Sequence, residues 1–307
     1  MNFKNKISLV LILFVIIVSS CIKEIDVNLE DSYRKIVVNS MFSADSILTV
    51  NISKSLNVLD NADVIFIKNA VVKIYENDEY VETLVYQANG NYTTVSFVPV
   101  YGKNYKLTVS APDLDDVEST NQLPTPVAIS GIDTMLINKE GKELIKCIIS
   151  IDDPANVQNY YYLQVFSNKQ DYDYFYDMES SIQNSALYID SDDPVIEEWV
   201  NWDQGAIFSD NIFNGTNYKL NIEINKWDVT SYDSTATILY YHLNSISYEY
   251  YLYTLSLAKY QRTNGDPFAE PVRVYSNITN GLGIFAGYSS YVYPIDFIGY
   301  IDYYYEW

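Results

Sequence analysis

Short segments in which hydrophobic and polar side chains alternate dominate the first third of the chain. In residues 47–53, Leu48, Val50 and Ile52 fall on one face and polar side chains on the other, which is the pattern of a half-buried strand. The same alternation predicts further strands at residues 35–42, 70–75, 80–86 and 105–110. About seven short strands over roughly ninety residues, with turns between them, are typical of a β-sandwich.

Residues 35–125 are therefore predicted to form an immunoglobulin- or transthyretin-like β-sandwich. Residues 76–79 suit the loop of a hairpin. Gly90-Asn91-Tyr92, followed by Tyr101-Gly102-Lys103-Asn104-Tyr105, resembles the closing part of transthyretin-like sandwiches. The acidic residues 113–116 and then Pro124-Thr125-Pro126 indicate a stiff polar connection, and we place the end of the first domain there.

Residues 126–307 are predicted to form a second β-rich, sandwich-like domain. Strand patterns recur at residues 145–151, 159–166, 218–224 and 236–243. Residues 168–205 are rich in Asp, Tyr, Asn and Ser, and we expect them to form long loops. Between residues 247 and 262 the apolar spacing becomes helical, and Ser247 is suited to cap the first turn. The pattern thus predicts one helix near the end of the chain.

The N-terminus has the pattern of an export signal. Lys4 and Lys6 precede an apolar run at residues 7–18, which is too short to span a bilayer but suits the core of a signal peptide. Val18-Ser19-Ser20-Cys21 resembles the bacterial lipobox, where the chain is cut before a lipid-modified cysteine. We expect residues 1–20 to be removed, Cys21 to be acylated and residues 21–34 to form a tether. The alternative is an ordinary secretory signal that ends at a cysteine.

Acyl chains on Cys21 are expected to hold the protein on the membrane. Each buried methylene contributes about 0.8 kcal/mol, so two or three chains make the attachment practically permanent. The sequence Ile22-Lys23-Glu24-Ile25-Asp26 resembles the Lys-plus-acid signal of Bacteroidota lipoproteins, although Glu24 and Asp26 are not adjacent. That resemblance implies a lipid-anchored protein of the outer membrane that faces the cell surface rather than the periplasm.

The charge balance is strongly acidic, with 19 basic and 40 acidic side chains. Removing residues 1–20 takes away Lys4 and Lys6 and leaves 17 basic against 40 acidic side chains, a net charge of −23. Such a field repels phosphate backbones, and the sequence has no cluster of Lys and Arg to overcome it. We therefore expect no nucleic-acid partner.

Side chains suited to catalysis or metal binding are few. His242 is the only histidine and lies in a predicted strand, so we expect a structural role. Glu197 and Glu198 offer a carboxylate pair for glycoside hydrolysis, but 40 acids make such neighbours common and solvated loop charge is the expected interpretation. Acidic residues at 113–116 and 190–193 supply oxygen ligands for calcium without an EF-hand loop. We expect no catalytic residues, no metal and no cofactor.

Cys147 is the one cysteine left once Cys21 is acylated, so no intrachain disulfide is expected. It shares a strand face with Ile145, Ile149 and Ile151. This position predicts a buried structural thiol rather than a nucleophile.

Tyrosine is unusually frequent, at 31 of 307 residues. In a strand, alternate members of a tyrosine run point away from the core, where the ring can contact a sugar, a peptide or a protein. Composition drift in an AT-rich genome is the competing explanation. The candidates for ligand or partner binding are aromatic residues of the long loops and the C-terminus: Tyr172, Tyr174, Tyr176, Tyr303, Tyr304, Tyr305 and Trp307.

Several motifs along the mature chain resemble the family of Bacteroidota lipoproteins called domain of unknown function 4249. They are Asp153-Pro154, Phe208-Ser209-Asp210, Phe213-Asn214-Gly215, Ser247-Tyr248-Glu249-Tyr250-Tyr251, and the C-terminal residues 266–271 and 276–288. Within the last of these, Asn280-Gly281-Leu282-Gly283 is predicted to be a turn whose glycines adopt positive φ or admit a close backbone. The resemblance implies an outer-membrane lipoprotein whose relatives accompany TonB-dependent transporters, and it supplies no catalytic residues.

The leading functional hypothesis is a noncatalytic, lipid-anchored accessory protein of a TonB-dependent nutrient-uptake system, which binds the transporter, its substrate or both. A second hypothesis is a surface adhesin or envelope-structural protein without a transport partner. A third is a hydrolase that uses the loop carboxylates Glu197 and Glu198.

Overall fold

The computed structural model describes residues 34–56, 63–168, 185–200, 204–229, 237–266 and 268–297. The predicted signal peptide, Cys21 and the tether up to residue 33 lie outside these ranges. The fold is mainly β, as the alternating patterns predicted. Among the helices that these ranges contain, none has the length and apolar character needed to cross a membrane.

The described part of the chain before residue 126 forms nine strands. They are β1 (Ile36–Phe42), β2 (Thr49–Lys54), β3 (Ile65–Phe66), β4 (Val71–Glu76), β5 (Glu79–Thr83), β6 (Val85–Tyr86), β7 (Asn91–Thr93), β8 (Asn104–Ser110) and β9 (Val117–Gln122). Strands β5, β4, β8 and β9 form one antiparallel sheet, in that order. Strands β1, β2, β7 and β6 lie next to one another in a second sheet, with β3 beside β2.

These two sheets enclose the first hydrophobic core, which confirms the predicted sandwich. Leu48, Val50 and Ile52 are buried, and so are the predicted inward positions Leu107 and Val109 of β8. The predicted strand at residues 80–86 is divided at the buried Leu84, because β5 pairs with β4 and β6 pairs with β7 of the opposite sheet. One segment therefore joins both layers of the sandwich.

The second half forms ten strands and two helices within the described residues. They are β10 (Ile129–Lys139), β11 (Lys142–Asp152), β12 (Tyr160–Ser167), β13 (Ser185–Ala186), β14 (Ile189–Asp190), β15 (Ile196–Val200), β16 (Gly205–Ser209), β17 (Asn217–Asn225), α1 (Lys226–Val229), β18 (Thr237–Ile246), α2 (Tyr248–Thr263) and β19 (Leu282–Phe297). Strands β10, β11, β17 and β14 form a four-stranded sheet, in that order. Its apolar face packs with β12, β16 and β18 around a second core that contains Cys147.

Two features of the second half differ from the sequence-based expectation. Residues 168–205 were expected to form loops, but their described part contains the strands β13, β14 and β15. Strand β14 pairs with β17, and β15 pairs with β16, whose side chains are all buried. These pairings hold the segment in extended conformation. Strand β10 has exposed side chains on both faces over much of its length, so no alternation marks it in the sequence.

The largest sheet runs through both predicted domains. It has eleven strands in the order β15, β16, β12, β18, β19, β1, β2, β7, β6, with β13 beside β12 and β3 beside β2. Its two halves meet where β1 and β19 pair in parallel, with Val38 opposite Gly283. Phe285 of β19 belongs to the first core and stacks on Phe42 at 4.7 Å between ring centroids. The division into separate folding units between residues 125 and 126 stays a prediction. The described residues from 34 onward belong to one compact unit by their contacts.

The predicted helix is confirmed as α2, within one residue at each end. Ser247 has extended backbone dihedrals and its side-chain oxygen accepts a hydrogen bond from the backbone N–H of Tyr250. Glu249 lies in the first turn, where a negative charge is favourable. Tyr251, Thr254 and Ala258 form the buried side of the helix. The cap at Ser247 thus fixes where the chain leaves β18 and where the first turn of α2 begins.

Candidate functional site

The residues first chosen for binding lie outside the described part of the chain. These are the lipidation candidate Cys21 and the aromatic candidates Tyr172, Tyr174, Tyr176, Tyr303, Tyr304, Tyr305 and Trp307. Their roles stay predictions. The candidate site within the described residues therefore consists of other side chains.

Glu197 and Glu198 attach helix α2 to strand β15. Glu197 accepts hydrogen bonds from the backbone N–H and the hydroxyl of Ser209 on one carboxylate oxygen, and from the hydroxyl of Tyr251 on the other. Glu198 accepts a hydrogen bond from the backbone N–H of Trp199, and its other carboxylate oxygen lies 2.5 Å from the Arg262 guanidinium. All four carboxylate oxygens are engaged within the chain, an arrangement that suits a structural clamp better than the acid and base of a hydrolase.

The single histidine and the described cysteine both lie in packed surroundings. His242 contacts the ring of Phe166 edge to face, and burial lowers the pKa of its imidazole. Cys147 is completely buried and its Sγ lies 3.1 Å from the Tyr241 hydroxyl. Burial raises the pKa of the Cys147 thiol to about 11, which keeps it in the unreactive protonated form at neutral pH. Both sequence-based interpretations agree with these positions.

We predict that Cys147 will not react with Ellman's reagent at pH 8 in the folded protein. At this pH a thiol with a pKa of about 11 is almost entirely protonated, and the sulfur has no solvent access. Unfolding in urea should restore rapid reaction of one thiol per chain in the acylated form. Fast labelling without denaturant would show that the strand opens readily around Cys147.

Within the described residues, no group of three or more Asp, Glu, His or Cys side chains is arranged to hold a metal ion. The acids at positions 190–193 are held by separate protein partners instead. Asp192 forms an ion pair with Lys139 at 2.9 Å, and Asp193 accepts from the Tyr218 hydroxyl at 2.5 Å. These bonds attach the segment between β14 and β15 to the end of β10 and to β17.

A cleft of about 920 Å³ lies where the end of β9, the following connection, the start of β12 and the start of α2 meet. We call it the junction cleft. Its lining comes from Gly102 with Asn104 and from stretches within residues 120–128, 152–160 and 245–249. A volume of this size is in the range of ligand-binding sites. The cleft is assembled from both halves of the chain, which the sequence pattern alone did not bring together.

One wall of the junction cleft is aromatic. The ring centroids of Tyr160 and Tyr248 are 5.1 Å apart, and Tyr160 also packs on Tyr251 at 4.6 Å. Tyr248 remains 49% exposed. Since both Tyr160 and Tyr248 line the cleft, an aromatic surface is available to a ligand.

The polar wall is organised around Asn121, which is buried and links three parts of the chain. Its side-chain oxygen accepts from the backbone N–H of Gly287 at 2.8 Å, and its amide nitrogen donates to the Glu249 carboxylate at 2.6 Å. Asn121 therefore positions Glu249, which lines the cleft. Further side-chain amides at the cleft belong to Asn104, Gln122, Gln158 and Asn159.

Beneath the Tyr160 wall, two buried carboxylates hold the loops in place. Asp153 accepts hydrogen bonds from the Tyr161 hydroxyl, from the Asn159 side chain at 3.2 Å and from the backbone N–H of Gly215 at 2.8 Å. One oxygen of Asp210 accepts from the backbone N–H of Asn159 at 2.8 Å. Its other oxygen, Oδ1, is buried and makes no hydrogen bond. Burial raises the pKa of Asp210.

The arrangement offers a ligand both ring contacts and hydrogen bonds. Amide and carboxylate groups line the cleft together with aromatic rings, and Cys147 and His242 lie elsewhere in packed strands. The family-like motifs were the one sequence signal for residues of the junction cleft. The sequence did not predict that these motifs lie close together in the fold.

A comparison with protein-family models matches residues 22–293 to the family described as domain of unknown function (DUF4249). The chain belongs to the DUF4249 family. No curated protein matches the DUF4249 chain significantly.

The family-like motifs of this DUF4249 chain lie close together in the fold. Asp153 precedes Pro154, which lines the cleft, and accepts a hydrogen bond from the backbone N–H of Gly215. Asp210 accepts a hydrogen bond from the backbone N–H of Asn159, which also lines the cleft. The motif at residues 247–251 begins α2 and supplies Tyr248 and Glu249 to the lining. Four motifs from three separate stretches of the sequence thus build or support the junction cleft of the DUF4249 fold.

Proposed function

We propose that this chain is a noncatalytic, lipid-anchored binding protein of the bacterial outer membrane, acting with a TonB-dependent transporter in nutrient uptake. The observation that carries the binding role is the junction cleft, which is lined by aromatic rings, amides and carboxylates. A site of this composition recognises a ligand by stacking and hydrogen bonding. In this proposal the cleft holds the substrate or a part of the transporter.

The membrane attachment rests on the sequence. Lys4, Lys6 and the apolar residues 7–18 form the signal pattern, and the lipobox-like tetrad ends at Cys21. Acylation there places the chain on a membrane surface without a spanning segment. The Lys23-containing segment after Cys21 supports the outer face of the outer membrane as its location.

We predict that Cys21→Ser will abolish acylation and release the protein from the membrane fraction. Serine offers no thiol for the diacylglyceryl group, so the anchoring energy of the acyl chains is lost. The measurement is incorporation of labelled palmitate together with fractionation of cells that express either form. Labelling and membrane retention of the Ser variant would contradict the lipoprotein assignment, and Cys147→Ser serves as a control that should change neither.

The partnership is tested by affinity purification of the tagged protein from detergent-solubilised outer membranes. We expect a TonB-dependent barrel to be recovered with it, and recovery should not depend on added nutrient if the transporter itself is the partner. Repeated purification of the protein alone would oppose the proposal. A deletion strain with normal nutrient uptake but altered attachment would favour an adhesin instead.

The loop tyrosines offer a second test of partner binding. Changing Tyr172, Tyr174 and Tyr176 together to Ser is expected to weaken partner or ligand binding by more than about 2 kcal/mol, the scale of an interface hot spot, while the melting temperature stays nearly constant. Binding is measured by titration and stability by thermal unfolding. A much lower melting temperature would place these rings in a core, and unchanged binding would place the contact elsewhere.

A further inference from the structure

The junction cleft has an acidic character that its lining does not neutralise. The lining includes the carboxylates of Asp152 and Glu249, and none of its described residues is Lys, Arg or His. We infer that the cleft binds an organic cation, through an alkylammonium or guanidinium group of the kind carried by lysine and arginine side chains. This inference rests on the proposed function in one respect, because it takes the cleft to be the ligand site.

The two lining carboxylates interact with neutral groups of the protein. Glu249 accepts from the Asn121 amide, and Asp152 accepts from the Asn217 amide. The ion pairs formed within the described residues use other acids: Glu76, Glu118, Glu143, Asp192, Glu198 and Glu223. The negative charge at the cleft is therefore oriented by hydrogen bonds but not compensated by an ion pair with any of the described Lys or Arg residues. An ammonium or guanidinium group would supply the missing charge.

The aromatic wall adds a second attraction for a cation. The faces of tyrosine rings carry negative electrostatic potential, so a cation that lies within about 6 Å of a ring centroid is stabilised. Tyr248 is half exposed, and both its ring and the carboxylate of the following residue, Glu249, line the cleft. A neutral ligand could use the ring and donate hydrogen bonds to the carboxylate, whereas a cation would add the attraction of opposite charges.

Acidic groups near Tyr160 increase the negative potential at the cleft. Besides burial, the nearby acidic groups of Asp210, Glu197 and Glu249 raise the pKa of Tyr160, so these carboxylates lie within electrostatic range of its hydroxyl. Asp210 also keeps one buried oxygen without a hydrogen bond. A cation bound against Tyr160 would be attracted by groups from β15, from the loop after β16 and from α2 together.

The size of the cleft favours a ligand larger than a simple amine. About 920 Å³ accommodates several amino-acid residues or a long polyamine, and the amides of Gln122 and Gln158 provide hydrogen bonds along its length. The shared chemistry is the protonated nitrogen on a flexible chain. A short lysine peptide and a polyamine are thus the two sources that an experiment should separate.

The test is calorimetric titration of the mature full-length protein in neutral detergent, at about 0.15 M salt so that diffuse charge attraction is screened. The probes are the blocked peptide acetyl-Ala-Lys-Lys-Ala-amide, the same peptide with both lysines Nε-acetylated, and spermidine. We expect the charged peptide to bind and the acetylated peptide to bind at least about tenfold more weakly, because acetylation removes both charges. Stronger binding of spermidine than of the lysine peptide would identify a polyamine as the source.

Matched variants locate the binding site. Glu249→Gln keeps an acceptor for Asn121 and should weaken binding about tenfold, and Tyr248→Leu should weaken it about fivefold. Glu140→Gln removes the same charge at the far tip of the β10–β11 hairpin, roughly 30 Å along the strand from the cleft, and should change affinity less than about twofold. Tyr260→Leu, an exposed ring near the other end of α2, is the matching aromatic control.

Three results would overturn the inference. One is the absence of binding by both charged probes, and another is equal weakening by Glu140→Gln and Glu249→Gln, which would indicate nonspecific attraction to an acidic protein. The third is that the acetylated peptide binds as tightly as the charged peptide and that Tyr248→Leu abolishes this binding. This last result would retain the cleft as a binding site, and with it the proposed function, while showing that the ligand is neutral. Should Glu249→Gln fail to fold, Asp152→Asn provides the same test.

Discussion

Replacing Gly283 with alanine is expected to lower the free energy of unfolding by about 4 kcal/mol, which is a large part of the stability of an ordinary domain. Gly283 has a φ of +103°, and a Cβ added there would lie 1.9 Å from the carbonyl oxygen of Val38. The backbone of β1 or β19 would have to move to avoid this contact, at the point where the two halves of the large sheet meet. Both the unfavourable φ and the lost pairing contribute to the expected loss.

Urea unfolding followed by tryptophan fluorescence measures the effect, and Gly141→Ala provides the control. Gly141 also has a positive φ, +82°, but a Cβ there would meet nothing within 4 Å. The control is therefore expected to lose only the roughly 1 kcal/mol that a left-handed alanine costs. Similar losses for both variants would mean that the close approach of Gly283 to β1 contributes little to stability.

Replacing Asp153 with alanine should lower the free energy of unfolding by about 3 kcal/mol or more, because three donors lose their acceptor in a buried site. These donors are the Tyr161 hydroxyl, the Asn159 amide and the backbone N–H of Gly215. Asp153 is only 7% exposed and Tyr161 is completely buried, so water cannot readily take the place of the carboxylate. The segments that support the junction cleft would lose their common anchor.

Two further variants separate the contributions to this effect. Tyr161→Phe removes a single donor and is expected to cost about 1–2 kcal/mol. Asp152→Ala removes the same charge from the neighbouring exposed position and should cost less than about 0.5 kcal/mol. Thermal and urea unfolding provide both comparisons. An Asp153→Ala protein as stable as Asp152→Ala would exclude the proposed anchoring role.

Much of the local structure could be predicted from the sequence because it depends on nearby residues. Alternation identified β2 and β8, whose inward side chains are buried as expected. Ser247 identified the start of α2, since an N-cap acts through backbone groups only a few residues away. Strand β10 was missed because its side chains are largely exposed on both faces and leave no alternating pattern.

The cleft could not be predicted in the same way, because it depends on contacts between distant parts of the chain. Asn121 meets Gly287 across 166 positions and Glu249 across 128 positions. No periodicity in the sequence records such contacts. Asn280-Gly281-Leu282-Gly283 was recognised as a turn needing glycine, and Gly283 does have positive φ close to another backbone, but nothing local identifies β1 as that neighbour.

The parallel pairing of β1 with β19 means that the central sheet cannot be completed until residues 282–287 have been synthesised. Strand β1 is synthesised long before this segment, which covers its open edge. Until then Phe42 lacks the ring of Phe285, and the edge of β1 is open to pairing with other chains.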